Sequence, residues 1–153
     1  MKLRSQIAEE LRTVLKDFVL KKPLSDKSNE FEPSSITVFE QNIPSPKMNE
    51  KPYHPFVCVR TENGKIDDYE QTESIAIIIS TWDDHTPELG EDDVINVIHR
   101  IINHFLANPM LDNRYYCRRD IEWAVSDERM PYFDGGITMT WEVPTMNEVQ
   151  TEL

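Results

Sequence analysis

The chain reads as α/β of the α+β kind, a mostly antiparallel or mixed sheet of about four to five strands packed against two main helices. Three patterns predict it. Apolar residues at spacings of three and four mark an amphipathic helix near each of residues 2 to 21 and 91 to 107. The run Ile75 to Ile79 is apolar on both alternating faces, which suits a central strand. The last third alternates apolar and polar residues with period two. At 153 residues the chain fits one domain, able to remove roughly 70% of its extended-chain surface from water.

In the first helix, Leu3, Ile7, Leu11, Val14, Leu15 and Phe18 form the apolar stripe. Lys21-Lys22 suit the negative pole of the helix dipole, and Pro23 cannot continue the ladder. The N-terminal helix is therefore expected over residues 1–22. A Pro-rich connection follows over 23–55, mostly loop, with one brief edge strand at Ile36-Thr37-Val38-Phe39. A connection of this length is either mobile or used for contact with something else.

Residues 56–143 hold the sheet and the second helix. Phe56 to Val59 begins the sheet, Asn63-Gly64 has the residues of a hairpin turn, and the chain returns as a strand from about Thr72 to Trp82. One face of that strand is expected under helix and the other under a further cover, for which another subunit is a candidate. Gly90 opens the second helix with Glu91, Asp92 and Asp93 in its first turn, where the dipole favours carboxylates, and Asn108-Pro109 stops it. Two period-two strands close the domain, one running from Tyr115 to Val125 and one from Ile137 to Val143. Between them DERMPYFDGG is too long for a tight hairpin and presents Pro131-Tyr132-Phe133. Residues 144–153 read as a frayed tail.

Charge is unevenly spread. Residues 61 to 93 carry eleven Asp or Glu and one Lys, so most of the net charge of -12 lies in one stretch around the apolar strand. With a sequence pI near 4.7, the surface should repel DNA, which excludes specific nucleic-acid binding through phosphate contacts. Arg114, Arg118 and Arg119, with Lys2, Arg4, Lys21 and Lys22, are a modest basic enrichment only. No apolar run approaches the ~20 residues that cross a bilayer, and the N-terminus has acids where a signal peptide is apolar, so a soluble protein made inside the cell, with no membrane partner, is expected. Cys58 and Cys117 lack CxxC spacing and read as buried small residues in a reducing compartment.

Chemistry is sparse. His99 and His104 are five apart, roughly 140° around a helix, so they do not converge on one ion. His54 reads as a surface residue. Asp83, Asp84, His85 and Glu88 form the most ligand-like cluster, against which stands the ordinary solvated acidic loop. There is no GxSxG elbow and no phosphate-cradling glycine loop among only four glycines. The reading is a protein that is not an enzyme, with no cofactor, no catalytic residue and no metal beyond that candidate cluster.

The order of these pieces resembles the tail terminator, or tail completion, minor tail proteins of tailed bacteriophages and prophages. The resemblance covers nearly the full length: the amphipathic first helix, ITVFEQNIP (Ile36 to Pro44), HPFVCVR (His54 to Arg60), the apolar strand running into STWDD (Ser80 to Asp84), DDVINVIHRIINHFL (Asp92 to Leu106) and MPYFDGGITMTWEVP (Met130 to Pro144). These are packing patterns with a few turn residues. The resemblance implies an α/β domain assembling as a homo-oligomeric ring, commonly a hexamer. The ring would close the head-proximal end of the tail tube against the tail tube protein and the head-tail connector protein. The location would be the virion tail, after assembly from the host cytoplasm. In such a ring Glu62, Asp67, Asp68, Asp83, Asp84, Glu91, Asp92 and Asp93 would line an acidic lumen past which DNA slides. Tyr53, Phe56, Pro131, Tyr132 and Phe133 are the candidate assembly interface, or else merely cover the monomer's own sheet. Two alternatives are a head completion or connector protein of the same neck, and an acidic DNA mimic that inhibits a host DNA-binding protein.

Overall fold

The computed structural model describes residues 2–25, 29–44, 52–84 and 87–144, with the side chains of residues 87–89 excepted. Two helices and nine strands alternate along this stretch, in the α+β class read from the sequence. Seven strands form one curled mixed sheet and two form a separate ribbon, more strands than the four to five expected.

Helix α1 spans Leu3–Val14 and buries Leu3, Ile7, Ala8 and Leu11. It ends about two turns earlier than the sequence pattern predicts. Leu15 is still buried, but the backbone leaves helical geometry there and Leu20–Pro23 becomes strand β1. It pairs antiparallel with β2, Phe31–Ser34. The ladder between these strands supplies the backbone partners that a continued helix would have given, and the two lysines expected at a helix end sit on β1 instead. Part of the expected Pro-rich loop is therefore a two-stranded ribbon.

Strand β3, Thr37–Glu40, lies where the apolar island predicts an edge strand, and pairs parallel with β4, Phe56–Ile66. Strand β5, Gln71–Trp82, pairs antiparallel with β4 on one side and with β9, Tyr132–Glu142, on the other. Asn63-Gly64 is not the turn. Both residues lie in the ladder, opposite Ser74 and Glu73, just past a bulge that leaves Glu62 as the extra residue. The turn falls at Asp67 to Glu70. The Asp67 carboxylate accepts the N–H groups of Tyr69 (2.8 Å) and Glu70 (2.9 Å) and so performs the chain reversal itself.

Helix α2 covers Pro87–Ala107, one turn longer at its start than predicted, so Glu91 to Asp93 lie in the second turn and not the first. Strands β6, Met110–Leu111, and β7, Tyr115–Cys117, form a small antiparallel pair, and β7 also pairs with the end of β9. The expected single strand from Tyr115 to Val125 is interrupted. After β7 the chain leaves the ladder over 118–121, then rejoins the same edge of β9 as β8, Glu122–Ser126. The register shows the cause: Cys117 faces Trp141 whereas Glu122 faces Thr138, so two residues more are used on this strand than on its partner.

The core lies between the helices and one face of the sheet. Val57, Val59, Ile75, Ile77, Ile79, Ile137, Met139 and Trp141 meet Leu11, Val94, Val97, Ile98, Ile101 and Phe105 there. Burying each such aliphatic side chain is worth about 1.5–3 kcal/mol. Phe133 joins them at 1% exposure. Helix α2 approaches β9 closely because two glycines leave room. A Cβ on Gly90 would fall 2.1 Å from the Phe133 ring, and one on Gly135 would fall 2.6 Å from Val94. Gly90→Ala should therefore cost about 1–3 kcal/mol by overpacking. Urea denaturation of the single and double variants should show Phe133→Leu recovering part of that loss, a coupling expected only if ring and helix collide.

Candidate functional site

The outer face of the sheet, away from the helices, divides into a covered end and a bare end. At the covered end five rings form a row. Tyr53 meets Phe39 edge-on at 5.5 Å, Phe39 meets Phe56 at 6.1 Å, and His54 lies 4.9 Å from Phe56 and 4.4 Å from Tyr132. Three residues expected at an assembly interface are thus brought together, but on the chain's own sheet. Phe56 is buried, Tyr53 and Tyr132 are half-buried, and only Pro131 is exposed. Phe133 points to the opposite face and is core. The apolar residues Phe56 and Phe133 are withdrawn from the candidate interface because the monomer already buries them. His54, expected as a surface residue, is an inner member of this row.

Beneath the row lies a polar cluster that the sequence reading missed. Ser80 Oγ donates to Asp134 Oδ1 at 2.7 Å, and Arg129 grips the same carboxylate through Nε at 2.8 Å and Nη2 at 2.7 Å. Burial pushes the Asp134 carboxyl up, but the hydrogen bonds from Arg129 and Ser80 and the Arg129 charge outweigh it and hold the group below the usual carboxylate range. Serine, aspartate and histidine within one patch invite a comparison with a nucleophilic triad. The bonding order is different: Ser80 donates directly to the carboxylate, and that carboxylate is held as an anion by arginine, so it is a poor base for the hydroxyl. The register that sets Ser80 opposite Asp134 is the only signal that could have exposed this cluster, and it requires the β5–β9 pairing.

The acidic residues are distributed over three places. Asp83 is buried and Asp84 exposed, and both meet Lys21 of β1, at 3.5 Å and 2.9 Å. Burial pulls the Lys21 ammonium down, yet the hydrogen bond to Asp84 and the two carboxylate charges leave it above its ordinary value. Asp83 is therefore withdrawn from the lumen set, since a buried, lysine-paired carboxylate does not face passing solvent. His85 and the Glu88 side chain lie outside the described residues. Among the described residues no three His, Cys, Asp or Glu side chains are grouped to hold a metal ion. On α2, Asp92 is exposed while Glu91 and Asp93 are half-buried.

The third place is the tip of the β4–β5 hairpin, where residues 62–69 are all exposed. Glu62, Asp67 and Asp68 lie here, beside Ile66 at 64% and Tyr69 at 94% exposure. The backbone N–H groups of Tyr69 and Glu70 hold the Asp67 carboxyl below its usual value. Further along the hairpin Glu73 faces the core side, opposite Trp141 in the ladder, and burial raises its carboxyl.

The remaining candidates are quiet. Cys58 and Cys117 are buried free thiols, and burial, with the Asp120 charge added, pushes Cys117 up to about 12, far from the reactive range. His99 lies edge-on against Trp123 at 5.5 Å, while His104 meets Glu10 at 2.8 Å. The basic residues mostly serve carboxylates: Arg118 bonds Glu70 and Glu142, and Arg4 bonds Glu40. No helix among the described residues is long and apolar enough to cross a membrane. No protein-family model matches the chain, and a search of curated proteins found no match.

Two pH effects of opposite sign follow. Asp134→Ala should cost about 2 kcal/mol at pH 7, from charge-assisted hydrogen bonds lost in a partly exposed site. The lowered carboxyl stabilises the fold above its unfolded value near 3.9, and that gain is lost as pH falls through the still lower folded value, so urea midpoints of wild type and variant should converge in strong acid. Glu73 is the reverse case: its raised carboxyl favours the neutral form, so the fold loses stability as pH rises from the unfolded value upward. Glu73→Gln should raise the urea midpoint at pH 7 and leave it little changed at pH 3.

Proposed function

We propose that this chain is a structural subunit of a phage tail, one that assembles as a ring at the head-proximal end of the tail tube and helps join tail to head. The observation that carries the reading is the β4–β5 hairpin tip. It presents carboxylates and two large apolar side chains together, outside a core that is complete without them. A monomer gains nothing from holding Tyr69 and Ile66 in water, whereas a neighbouring subunit or a tube end could bury them. Glu62, Asp67 and Asp68 beside them would keep the same rim repulsive to phosphate, so that DNA passes a ring without adhering.

Other features support it. The most enzyme-like grouping, Ser80 with Asp134 and Arg129, has its donors and acceptors committed to one another, as a clamp between β5 and β9 requires. Many of the basic residues pair with carboxylates of the same chain, Arg60 with Glu62 and Lys65 with Asp67 on the hairpin itself, so the hairpin tip keeps a net negative charge with Asp68 added. The resemblance in the order of helices and strands points to the terminator family, with the connector of the same neck as its nearest rival.

The purified protein, alone and with tail-tube assemblies, should form rings visible by negative-stain electron microscopy. The variant carrying Ile66→Ser and Tyr69→Ser should keep its urea midpoint within about 0.5 kcal/mol of wild type, as exposed sites do, and lose ring formation. Phage lacking the protein should make over-long tubes. Capped tails without heads would instead assign the chain to the connector, and rings unaffected by the double substitution would remove the hairpin tip from the interface.

A further inference from the structure

We infer that strand β8 is the self-pairing edge of this protein: two copies join antiparallel about Ala124, making one sheet across a twofold axis. The inference is independent of the ring reading, because it uses a different edge.

The main edges of the sheet are treated differently. At one end β3 lies against α1, with Arg12 Nη2 donating to the Val38 carbonyl at 3.0 Å and both Ser5 Oγ (2.6 Å) and Arg4 Nε (3.3 Å) donating to the Glu40 carboxylate. At the other end β6 is only two residues long and follows Pro109. Short length, proline and covering side chains are the usual protections of a sheet edge. Strand β8 has no proline and, among the described residues, no side chain bonded to its backbone as α1 bonds β3. It is five residues long, contains no Lys, Arg or Pro, and among the described residues its backbone pairs only with β9. Glu122, Trp123 and Ala124 are exposed, Trp123 at 45%.

The sequence of β8 selects a second copy as the occupant. Reversed against itself about Ala124, Glu-Trp-Ala-Val-Ser sets Glu122 opposite Ser126 of the other copy, and Trp123 opposite Val125. The only charged residue then meets a hydroxyl and never its own kind, and the exposed indole meets a β-branched aliphatic, a favourable cross-strand pair. Trp123 and Val125 lie opposite Ile137 and Gly135 in the β9 ladder, hence on the core side of the sheet, so each copy would extend the other's apolar layer. On the outer side Ala124 lies beside Gly136, where an added Cβ would meet nothing within 4 Å, so small residues leave the junction flat. Such an interface is isologous and closes at two copies.

The register makes the test specific, because residue 124 is the one position that meets itself. Sedimentation of the full chain should show a dimer. Ala124→Lys and Ala124→Glu should each weaken it at least about tenfold, since like charges then meet across the axis, while an equimolar mixture of the two should restore it. Ala124→Cys should give a disulfide-linked dimer under mild oxidation, as paired antiparallel residues lie within disulfide reach. The native Cys58 and Cys117 are buried and do not compete. Circular dichroism melts of each variant control for folding, which an exposed site should not disturb. A wild-type monomer at all concentrations up to about 1 mM, a weak-affinity limit, would overturn the proposal. So would dimers that persist unchanged in both charged variants. Ring formation should be unchanged in Ala124→Lys and lost in the hairpin double variant, so each assembly can fail alone.

Discussion

Strand β5 is hydrogen-bonded on both edges over nearly all of its twelve residues, and the rest of the domain is arranged by that fact. A strand paired on both sides cannot slip by one residue without turning Ile75, Ile77 and Ile79 out of the core, so its alternation sets the register of β4 and β9 together. That register then decides the polar chemistry. Ser80 faces Asp134 only because Ile79 faces Gly135, and Glu73 faces Trp141 only because Ile75 faces Met139. The helices follow as well, since α2 finds its groove where Gly135 and Gly90 remove side chains between helix and sheet.

The same arrangement sorts an acidic sequence into carboxylates that are used and carboxylates that are not. Glu40 is held below its ordinary value first by the Ser5 hydroxyl and then by Arg4, fastening α1 to β3. Asp83 and Asp84 fasten the β1–β2 ribbon through Lys21, and Glu70 and Glu142 share Arg118 where the chain leaves β7. Each pair is partly exposed and contributes little alone, on the order of 0–1 kcal/mol. Together they tie long-range neighbours that the apolar core does not touch. At the hairpin tip Asp67 is held by its own turn and lies 3.7 Å from Lys65, Glu62 lies 3.6 Å from Arg60, and Asp68 is exposed beside them.

How much of this the sequence discloses depends on whether a feature is periodic. Helix α2, strand β5 and the buried stripe of β9 announce themselves by spacing, and so does β3 through its β-branched island. Features decided by pairing are silent. Asn63-Gly64 has the composition of a turn, but the β-bulge at Glu62 and the Asx turn at Asp67 move the reversal four residues on. Lys21-Lys22 suit a helix end, and instead bind carboxylates and a carbonyl that become neighbours only when the ribbon forms. Pro131-Tyr132-Phe133 looks like one exposed unit, yet a strand sends consecutive residues to opposite faces. Tyr132 therefore joins the outer aromatic row while Phe133 enters the core. The Ser80–Asp134–Arg129 clamp is legible only once two strands fifty residues apart are aligned.

These displacements move the surfaces that are free for assembly. Aromatic residues in irregular connections are natural suspects for an interface, and here most of them are already placed: a row of five rings seals one end of the outer face, with Trp82 and Phe31 continuing it at 5.9 Å. Among the described residues, exposed apolar side chains include Ile66 and Tyr69 together at the tip of one hairpin and Trp123 along the five-residue edge β8, while Val19, Met110 and Met130 are exposed elsewhere. A hairpin tip meets whatever stands beside it and need not be met by another tip, so it generates contacts that can propagate around a ring. A strand edge that is complementary to its own reverse generates a contact that closes at once. The two surfaces sit on different strands, so a chain built in this way can hold a partner at one without giving up the other.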